Sequence, residues 1–344
     1  MKLLLIGLDG VRVDVALPQA LTMHRGFEEP DHPADPRFAA GERPADAPTM
    51  PSPALSTATP APTLARLLDG GCVLPVWMTP PTDSGPGWAS LLTGTRHEEN
   101  NVWWNEFVGH RLARTPDILS RIYFANPSAR TFAASTWDAL VDPSGPGPVF
   151  HQRVDQQVGG QHQLMKASDF SEGCRSADTQ VRGHAAWVLN HEGPDAAFVY
   201  FEDVDEAGHQ HGAASAEYRE AITRVDEHVR HLVKAVSERY EQLDEEWLVA
   251  VVTDHGHKPE GGHGEDEVDV RRSFLLLHHI GPADVADDLR ARASGVPSLR
   301  SEEVTPLLLD LLGAQSGSWD PHHDVGRLRD VATVGPTRNL EYEW

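Results

Sequence analysis

A three-layer α/β/α sandwich with a mostly parallel central sheet is the architecture specified by three apolar runs in this chain, each ending in acidic or imidazole side chains. Lys2-Leu3-Leu4-Leu5-Ile6-Gly7-Leu8 leads into Asp9-Gly10, and Ala197-Phe198-Val199-Tyr200-Phe201 leads into Glu202-Asp203-Val204-Asp205. Trp247-Leu248-Val249-Ala250-Val251-Val252-Thr253 leads into Asp254-His255-Gly256. Strands with nearly continuous apolar residues belong to sheets covered on both faces. Ligands of such α/β sheets gather beyond the carboxyl ends of the strands, which is where these polar residues fall. One aspartate at a strand end is an ordinary turn or cap residue. Coincidences at three strand ends are much harder to dismiss.

The elements follow in order. After the first strand, residues 25–62 turn to Pro, Ala, Asp and Glu, a composition that supports neither a long helix nor a central strand, and they are expected to form a surface insertion. From Thr63, the spacing of Leu64, Leu67 and Leu68 predicts a helix stopped by Gly70-Gly71. Val73 to Met78 is a strand, and Thr79-Pro80-Pro81-Thr82-Asp83 is a loop carrying the chain to Ser84, where an apolar run predicts a helix start. Arg130 to Thr136 is a further strand, and Gly-, Gln- and Ser-rich residues 142–173 are expected to be an irregular insertion. Helix returns near Ala177 to Leu189. Between Ser215 and Tyr240, Tyr218, Ile222, Val225, Val229, Leu232, Val233 and Val236 recur at helical spacing, with Ser215 as the start. Arg272 to His278 supplies another strand, and Thr305 to Leu312 a closing helix with Pro306 in its first turn and Gly313 as its stop. The expectation is a single catalytic domain over residues 1–344 with the two insertions, and no internal repeat.

Composition bounds the function. A formal charge of −23 over 344 residues argues against a nucleic-acid duplex as partner, because counterion release needs clustered Lys and Arg. A small phosphate ester remains compatible, since metal ions would meet its charge locally. Cys72 and Cys174 are too few for a disulfide scaffold and lack metal-type spacing. Asp9 and Arg12 interrupt the first apolar stretch before a signal-peptide core develops, and no stretch approaches a membrane span. These features predict a cytoplasmic protein without a membrane partner, and they leave its oligomeric state open.

The polar islands suit metal chemistry. Zinc and similar ions take imidazole and carboxylate ligands, and a catalytic site keeps one position open. Asp205-x-x-x-His209 sets two such ligands one helical turn apart. Asp254-His255 needs the bend that Gly256 permits, and Gly261-Gly262 lets His263 swing back. Ser84 stands among small residues, Ser84-Gly85-Pro86-Gly87, at an expected helix start, where backbone N–H groups face an anion. No histidine lies in sequence register with Ser84, so metal coordination is the expected route to a nucleophilic oxygen.

These residues resemble the alkaline phosphatase superfamily, and within it the nucleotide pyrophosphatase/phosphodiesterase-like branch. The resemblance rests on Gly7-Leu8-Asp9-Gly10-Val11-Arg12, Ser84-Gly85-Pro86-Gly87-Trp88 through Leu92-Thr93-Gly94, Asp205-Glu206-Ala207-Gly208-His209 with Gly212, and Thr253-Asp254-His255-Gly256 followed by Gly262-His263-Gly264. It implies an alkaline phosphatase-like fold and two divalent metal ions, zinc with manganese as the alternative. One ion would fall to Asp205, His209 and His263, the other to Asp9, Asp254, His255 and the Ser84 oxygen. It also implies in-line attack by Ser84, a phosphoseryl intermediate, and assistance from the Gly85 N–H.

The departures bear on substrate. Diesterases of this branch carry an Asn shortly after the nucleophile, where this chain has Gly87-Trp88, and a family His-Gly pair is replaced by Asn100-Asn101. Asn105 is a candidate for the missing phosphate contact, and Trp88, Trp103 and Trp104 are candidates for stacking on a substrate ring or for plain packing. Formylglycine sulfatases require Arg where Trp88 stands, and the segment from Asn105 to Ala196 is too short for the extra domain of cofactor-independent phosphoglycerate mutases. His257 is a candidate for acid chemistry at the rim of the site, a solvated loop residue being the commoner expectation. The pairs His278-His279 and His322-His323 are not expected to ligate jointly, because adjacent strand residues face opposite ways. The leading expectation is a phosphodiesterase or nucleotide pyrophosphatase acting on a small molecule. The alternatives are a phosphomonoesterase and a catalytically inactive, metal-stabilised binding protein. Arg96 and Lys258, the basic residues nearest the islands in sequence, offer no obvious partner for the third oxygen of a monoester, which favours the diester.

Overall fold

A computed structural model of the chain describes residues 1–28 and 59–314. The strands are β1 (Lys2–Leu8), β2 (Cys72–Trp77), β3 (Thr131–Ser135), β4 (His162–Lys166), the short β5 (Ser171–Gly173), β6 (Ala196–Phe201), β7 (Trp247–Thr253), β8 (Arg272–Ile280) and β9 (Leu299–Arg300). Eight of them form one sheet in the order β4-β3-β6-β1-β7-β8-β2-β9. All neighbours pair in parallel except at β8, which runs antiparallel to both β7 and β2.

The longer helices are α1 (Pro62–Gly70), α2 (Ser84–Thr93), α3 (Ile118–Ala125), α4 (Cys174–His191), α5 (Asp203–His211), α6 (Ala216–Leu243), α7 (Ala283–Ser294) and α8 (Val304–Leu311). The pleat of β1 sorts its side chains between two layers. Leu4, Ile6 and Leu8 enter a core with residues of α1, α4 and α6. Leu3 and Leu5 enter a second core with residues of α2, α3, α7 and α8. This is the expected three-layer sandwich with a mostly parallel sheet, and the all-buried pattern of β6 and β7 is what coverage on both faces requires.

Register places the chemistry. Leu8 at the end of β1 pairs with Phe201 of β6 and Thr253 of β7, so Asp9 leaves the sheet level with Glu202 and Asp254. The three polar strand ends are therefore immediate neighbours, with β1 in the middle. On one side β2 delivers the chain to Ser84, the first residue of α2.

Two segments depart from the sequence reading. Residues 142–173, expected to be irregular, contain a short helix at Val154–Val158 and the edge strand β4, whose parallel pairing to β3 turns a polar-looking stretch into sheet. Most of the Pro-rich insertion over 25–62 lies outside the described residues.

The long helix α6 is capped as its sequence indicates, with Ser215 accepting from the Tyr218 N–H at 3.1 Å. It also caps another helix. Buried Asp226 accepts from the Thr63 N–H at 3.0 and 2.9 Å and from the Leu64 N–H at 2.9 Å, taking up amides at the start of α1 that no side chain of α1 satisfies. Asp226→Ala is expected to strand both amides and cost about 2 kcal/mol in urea unfolding, and Asp226→Asn, which keeps an acceptor, about half of that.

Candidate metal centre and nucleophile

The strand ends converge on two adjacent groups of potential ligands, Asp9 with Asp254 and His255, and Asp205 with His209, His257 and His263. The rings of His255 and His263 stack with centroids 3.8 Å apart, so the groups share a wall. Six of the expected ligands and Ser84 are thus brought to one place at the carboxyl ends of β1, β6 and β7.

In the first group, His255 Nε2 lies 3.3 Å from Asp9 Oδ1, 3.2 Å from Asp254 Oδ2 and 3.2 Å from Ser84 Oγ. In the second, His263 Nε2 lies 3.5 Å from Asp205 Oδ1 and 3.0 Å from His209 Nε2, and His209 Nε2 lies 3.5 Å from Asp205 Oδ2. Ligands about 2.0–2.1 Å from a tetrahedral zinc ion stand roughly 3.3 Å from one another. Both groups match that spacing.

The polar atoms support the same fit. Asp9 Oδ1 and Asp254 Oδ2 are buried and have no hydrogen-bond partner, although buried carboxylate oxygens are ordinarily satisfied. Their companion oxygens are occupied. Asp9 Oδ2 accepts from the Trp88 indole N–H at 2.9 Å and from the Tyr200 hydroxyl, and Asp254 Oδ1 accepts from the Gly10 N–H at 3.3 Å. One face of each carboxylate is therefore pinned and the other is left for a cation. The histidines are prepared likewise, because His255 Nδ1 lies 3.1 Å from the Gly256 carbonyl and His263 Nδ1 3.0 Å from that of Thr82. A proton on each Nδ1 leaves the Nε2 lone pair available.

Without cations these groups oppose one another. Burial, reinforced by the charge of Asp205, pushes the Asp9 carboxyl well above the usual carboxylate range, and burial does the same to Asp254. Burial raises Asp205 to about 6 and holds His255 and His263 neutral by lowering them well below the ordinary imidazole range. Neutral imidazoles beside carboxylates that resist ionisation are the donor set that divalent ions, zinc among them, turn to advantage.

Ser84 is buried at the first position of α2, and the Asp83 carbonyl accepts from the Gly87 N–H at 3.0 Å. The loop carrying His263 is fastened to the segment before Ser84, because Thr82 pairs with Gly264 and the Thr82 hydroxyl donates to the Glu265 carbonyl at 2.8 Å. The expected phosphate contacts fall differently. The Gly85 N–H is taken by Asn105 Oδ1 at 2.7 Å, so Asn105 sits at the mouth while the amide is already satisfied. Trp88 is fully buried, its ring edge-on to Phe198 and Tyr200. It therefore cannot stack on a substrate, and the sequence expectation is corrected: its indole holds Asp9. Space for that ring comes from Gly7 in β1, where a Cβ would stand 2.6 Å from Trp88 Cη2.

His257 is the residue whose surroundings sequence reasoning misjudged. Far from being a solvated loop side chain, it is fully buried with Nε2 2.7 Å from Asp205 Oδ1. Its signal in the sequence was only proximity to Asp254-His255. His278 and His279 are separated as expected, His278 against the Leu67 carbonyl and His279 beside Glu246. The pair His322-His323 lies outside the described residues.

A family model for type I phosphodiesterase / nucleotide pyrophosphatase matches residues 52–275. GPI ethanolamine phosphate transferase 1 from Yarrowia lipolytica is 26% identical over 300 residues, covering 81% of this chain and 27% of that protein. The chain spans about a quarter of the length of the first curated relatives it matches. Human ectonucleotide pyrophosphatase / phosphodiesterase 5 superposes with a TM-score of 0.54 at 14% identity, over 91% of this chain and 95% of that one. The C-terminal periplasmic domain of phosphoethanolamine transferase EptC from Campylobacter jejuni does so with a TM-score of 0.52 at 8% identity, over 94% and 93%. The resemblance read from the motifs agrees with these matches, and the fold is shared. The cytoplasmic expectation is corrected by them, since transferases of this kind and a periplasmic neighbour point away from the cytoplasm. No helix among the described residues is long and apolar enough to cross a membrane.

Stripping metal with a chelator is expected to lower the thermal midpoint, and added zinc to restore it with one ion for each of the two groups. Each site filled at a hundred times its Kd would contribute about 2.7 kcal/mol. Calorimetric titration that saturates at a single equivalent would remove one of the groups from consideration.

Proposed function

The chain belongs to the type I phosphodiesterase / nucleotide pyrophosphatase family, and on that premise we propose that it cleaves a phosphodiester through attack of Ser84 Oγ on phosphorus. A phosphoryl-transfer role is common to the family and to the transferases it resembles. The observation that carries the finer reading is the position of Ser84 Oγ, 3.2 Å from His255 Nε2 on the edge of the Asp9–Asp254–His255 group. Divalent ions held by the two groups would supply Lewis acidity toward the attacking and leaving oxygens.

The chain's own residues provide the rest. Ser84 opens α2, so its oxygen and an incoming anion lie at the positive end of a ten-residue helix. Attack forms an Oγ–P bond, breaks the bond to one ester oxygen and releases an alcohol, leaving the other ester group on the phosphoserine. Attack by an acceptor hydroxyl then frees Ser84. Water as acceptor makes the protein a hydrolase.

Electrostatics favours the diester over the monoester. Arg12 is buried and committed to Asp14, to Asp269 and to the His257 carbonyl, and Lys258 is paired with Glu265. The third anionic oxygen of a monoester would find neither of these cations free, whereas a diester replaces that oxygen with a neutral ester group. A second reading, with an alcohol as acceptor, is favoured by the similarity to GPI ethanolamine phosphate transferase 1 over most of this chain. In that reading the substrate is a phosphoethanolamine-type donor, which includes membrane-associated lipids as well as the small soluble esters expected from composition.

Turnover of bis-p-nitrophenyl phosphate is expected to exceed that of p-nitrophenyl phosphate, to vanish with chelator and to fall about a thousandfold or more in Ser84→Ala. Adding ethanolamine or glycerol and following products by phosphorus NMR separates hydrolysis from transfer to an alcohol. Full chelator-sensitive activity in Ser84→Ala would defeat the covalent route, and no turnover of either ester by the metal-loaded protein would leave a binding protein.

A further inference from the structure

His257 stands inside the candidate centre without belonging to the ligand set that the family resemblance implies. Its ring is enclosed on two sides by positions where no Cβ fits. A Cβ at Gly208 of α5 would lie 2.5 Å from His257 Cδ2, and one at Gly10 would lie 2.9 Å from its Nε2. Tyr218 and His209 present ring edges to it, and Arg12 Nη1 donates to its carbonyl at 2.8 Å. Both the ring and its backbone are held in place.

The two ring nitrogens differ. Nδ1 is buried without a hydrogen-bond partner, while Nε2 lies 2.7 Å from Asp205 Oδ1. A stranded N–H inside a protein costs more than a bare lone pair whose neighbour nitrogen is well bonded, so the proton belongs on Nε2, where the carboxylate accepts it.

Distance then decides between ligand and support. Two ligands of one tetrahedral ion stand roughly 3.3 Å apart, a spacing that Asp205, His209 and His263 keep. The separation of 2.7 Å between His257 Nε2 and Asp205 Oδ1 is instead that of a charge-assisted hydrogen bond. A fourth protein ligand would also close the position that a catalytic ion keeps open. The other two carboxylates of the centre show the same arrangement, with Asp9 pinned by Trp88 and Tyr200 and Asp254 by the Gly10 amide.

We propose that His257 is a positioning residue that donates its Nε2 proton to Asp205 Oδ1 and so presents the carboxylate to a metal ion shared with His209 and His263. The inference rests on the two-metal reading above.

Metal binding by competition titration, together with metal analysis at saturation, tests it without reference to turnover. Wild type is expected to bind two ions. His257→Met should still bind two at saturation, with one site weakened about 10- to 100-fold, and His257→Gln, which retains an N–H donor, should recover part of that loss. The visible spectrum of the cobalt-loaded protein should be the same in wild type and variants. In the zinc-loaded wild type, nitrogen-15 NMR should show a proton on His257 Nε2, a readout independent of how the variants fold. Affinity unchanged in His257→Met, a cobalt spectrum that shifts with the substitution, or an unprotonated Nε2 would each overturn the assignment. A wild-type protein that binds fewer than two ions would defeat the two-metal reading itself, an outcome distinct from these.

Discussion

Three carboxylates held out of water at the ends of three neighbouring parallel strands are the constraint around which this molecule is arranged. Burying unpaired anions is costly, and the cost grows when they are placed beside one another. The fold accepts it because β1 is flanked by β6 and β7 in a register that leaves Asp9 level with Asp254. Much of the surrounding packing serves to hold one oxygen of each acid and leave the other bare. Trp88 reaches Asp9 only because Gly7 leaves room above the sheet, and Tyr200 arrives from the adjoining strand. The hydrophobic layer under α2 and the polar centre above it are therefore one construction, since Trp88 belongs to both.

Much of this was legible in the sequence, for a physical reason. Apolar runs, strand-end acids, the Ser215 cap and the glycine stop after α1 are local signals, written within a few residues of the structure they specify. The convergence of the six candidate ligands and Ser84 was readable because a parallel sheet gathers its strand ends on one edge. What escaped notice depends on residues far apart in the chain. His257 is hidden from solvent by Gly10 and Gly208, and nothing next to it in sequence announces either. Sequence alone leaves Trp88 open between a substrate contact and plain packing because its partner, Asp9, lies 79 residues away. β4 escaped for a similar reason: a strand on the sheet edge need not be apolar, and its half-exposed residues give little periodicity.

Family membership and reaction are separate matters here. The proposed attack on phosphorus at Ser84 would have the same geometry whether water or an alcohol arrives in the second step, so the candidate ligands alone say little about the acceptor. Selectivity has to come from the mouth of the site, where Asn105 accepts from the Gly85 N–H beside Ser84 and the exposed Trp104 precedes it. Location is equally silent in composition, which is why charge and hydropathy suggested a cytoplasmic protein where the relatives point elsewhere.

The central strand has a consequence for how the chain is made. Both neighbours of β1 in the sheet are encoded far downstream of it, and His263 meets the Thr82 carbonyl across 181 residues. A nascent chain must carry this apolar strand with both edges unpaired until those later residues emerge, the circumstance in which sheet edges invite aggregation and holding chaperones. A metal ion held by Asp205, His209 and His263 would have to await the segment that carries His263.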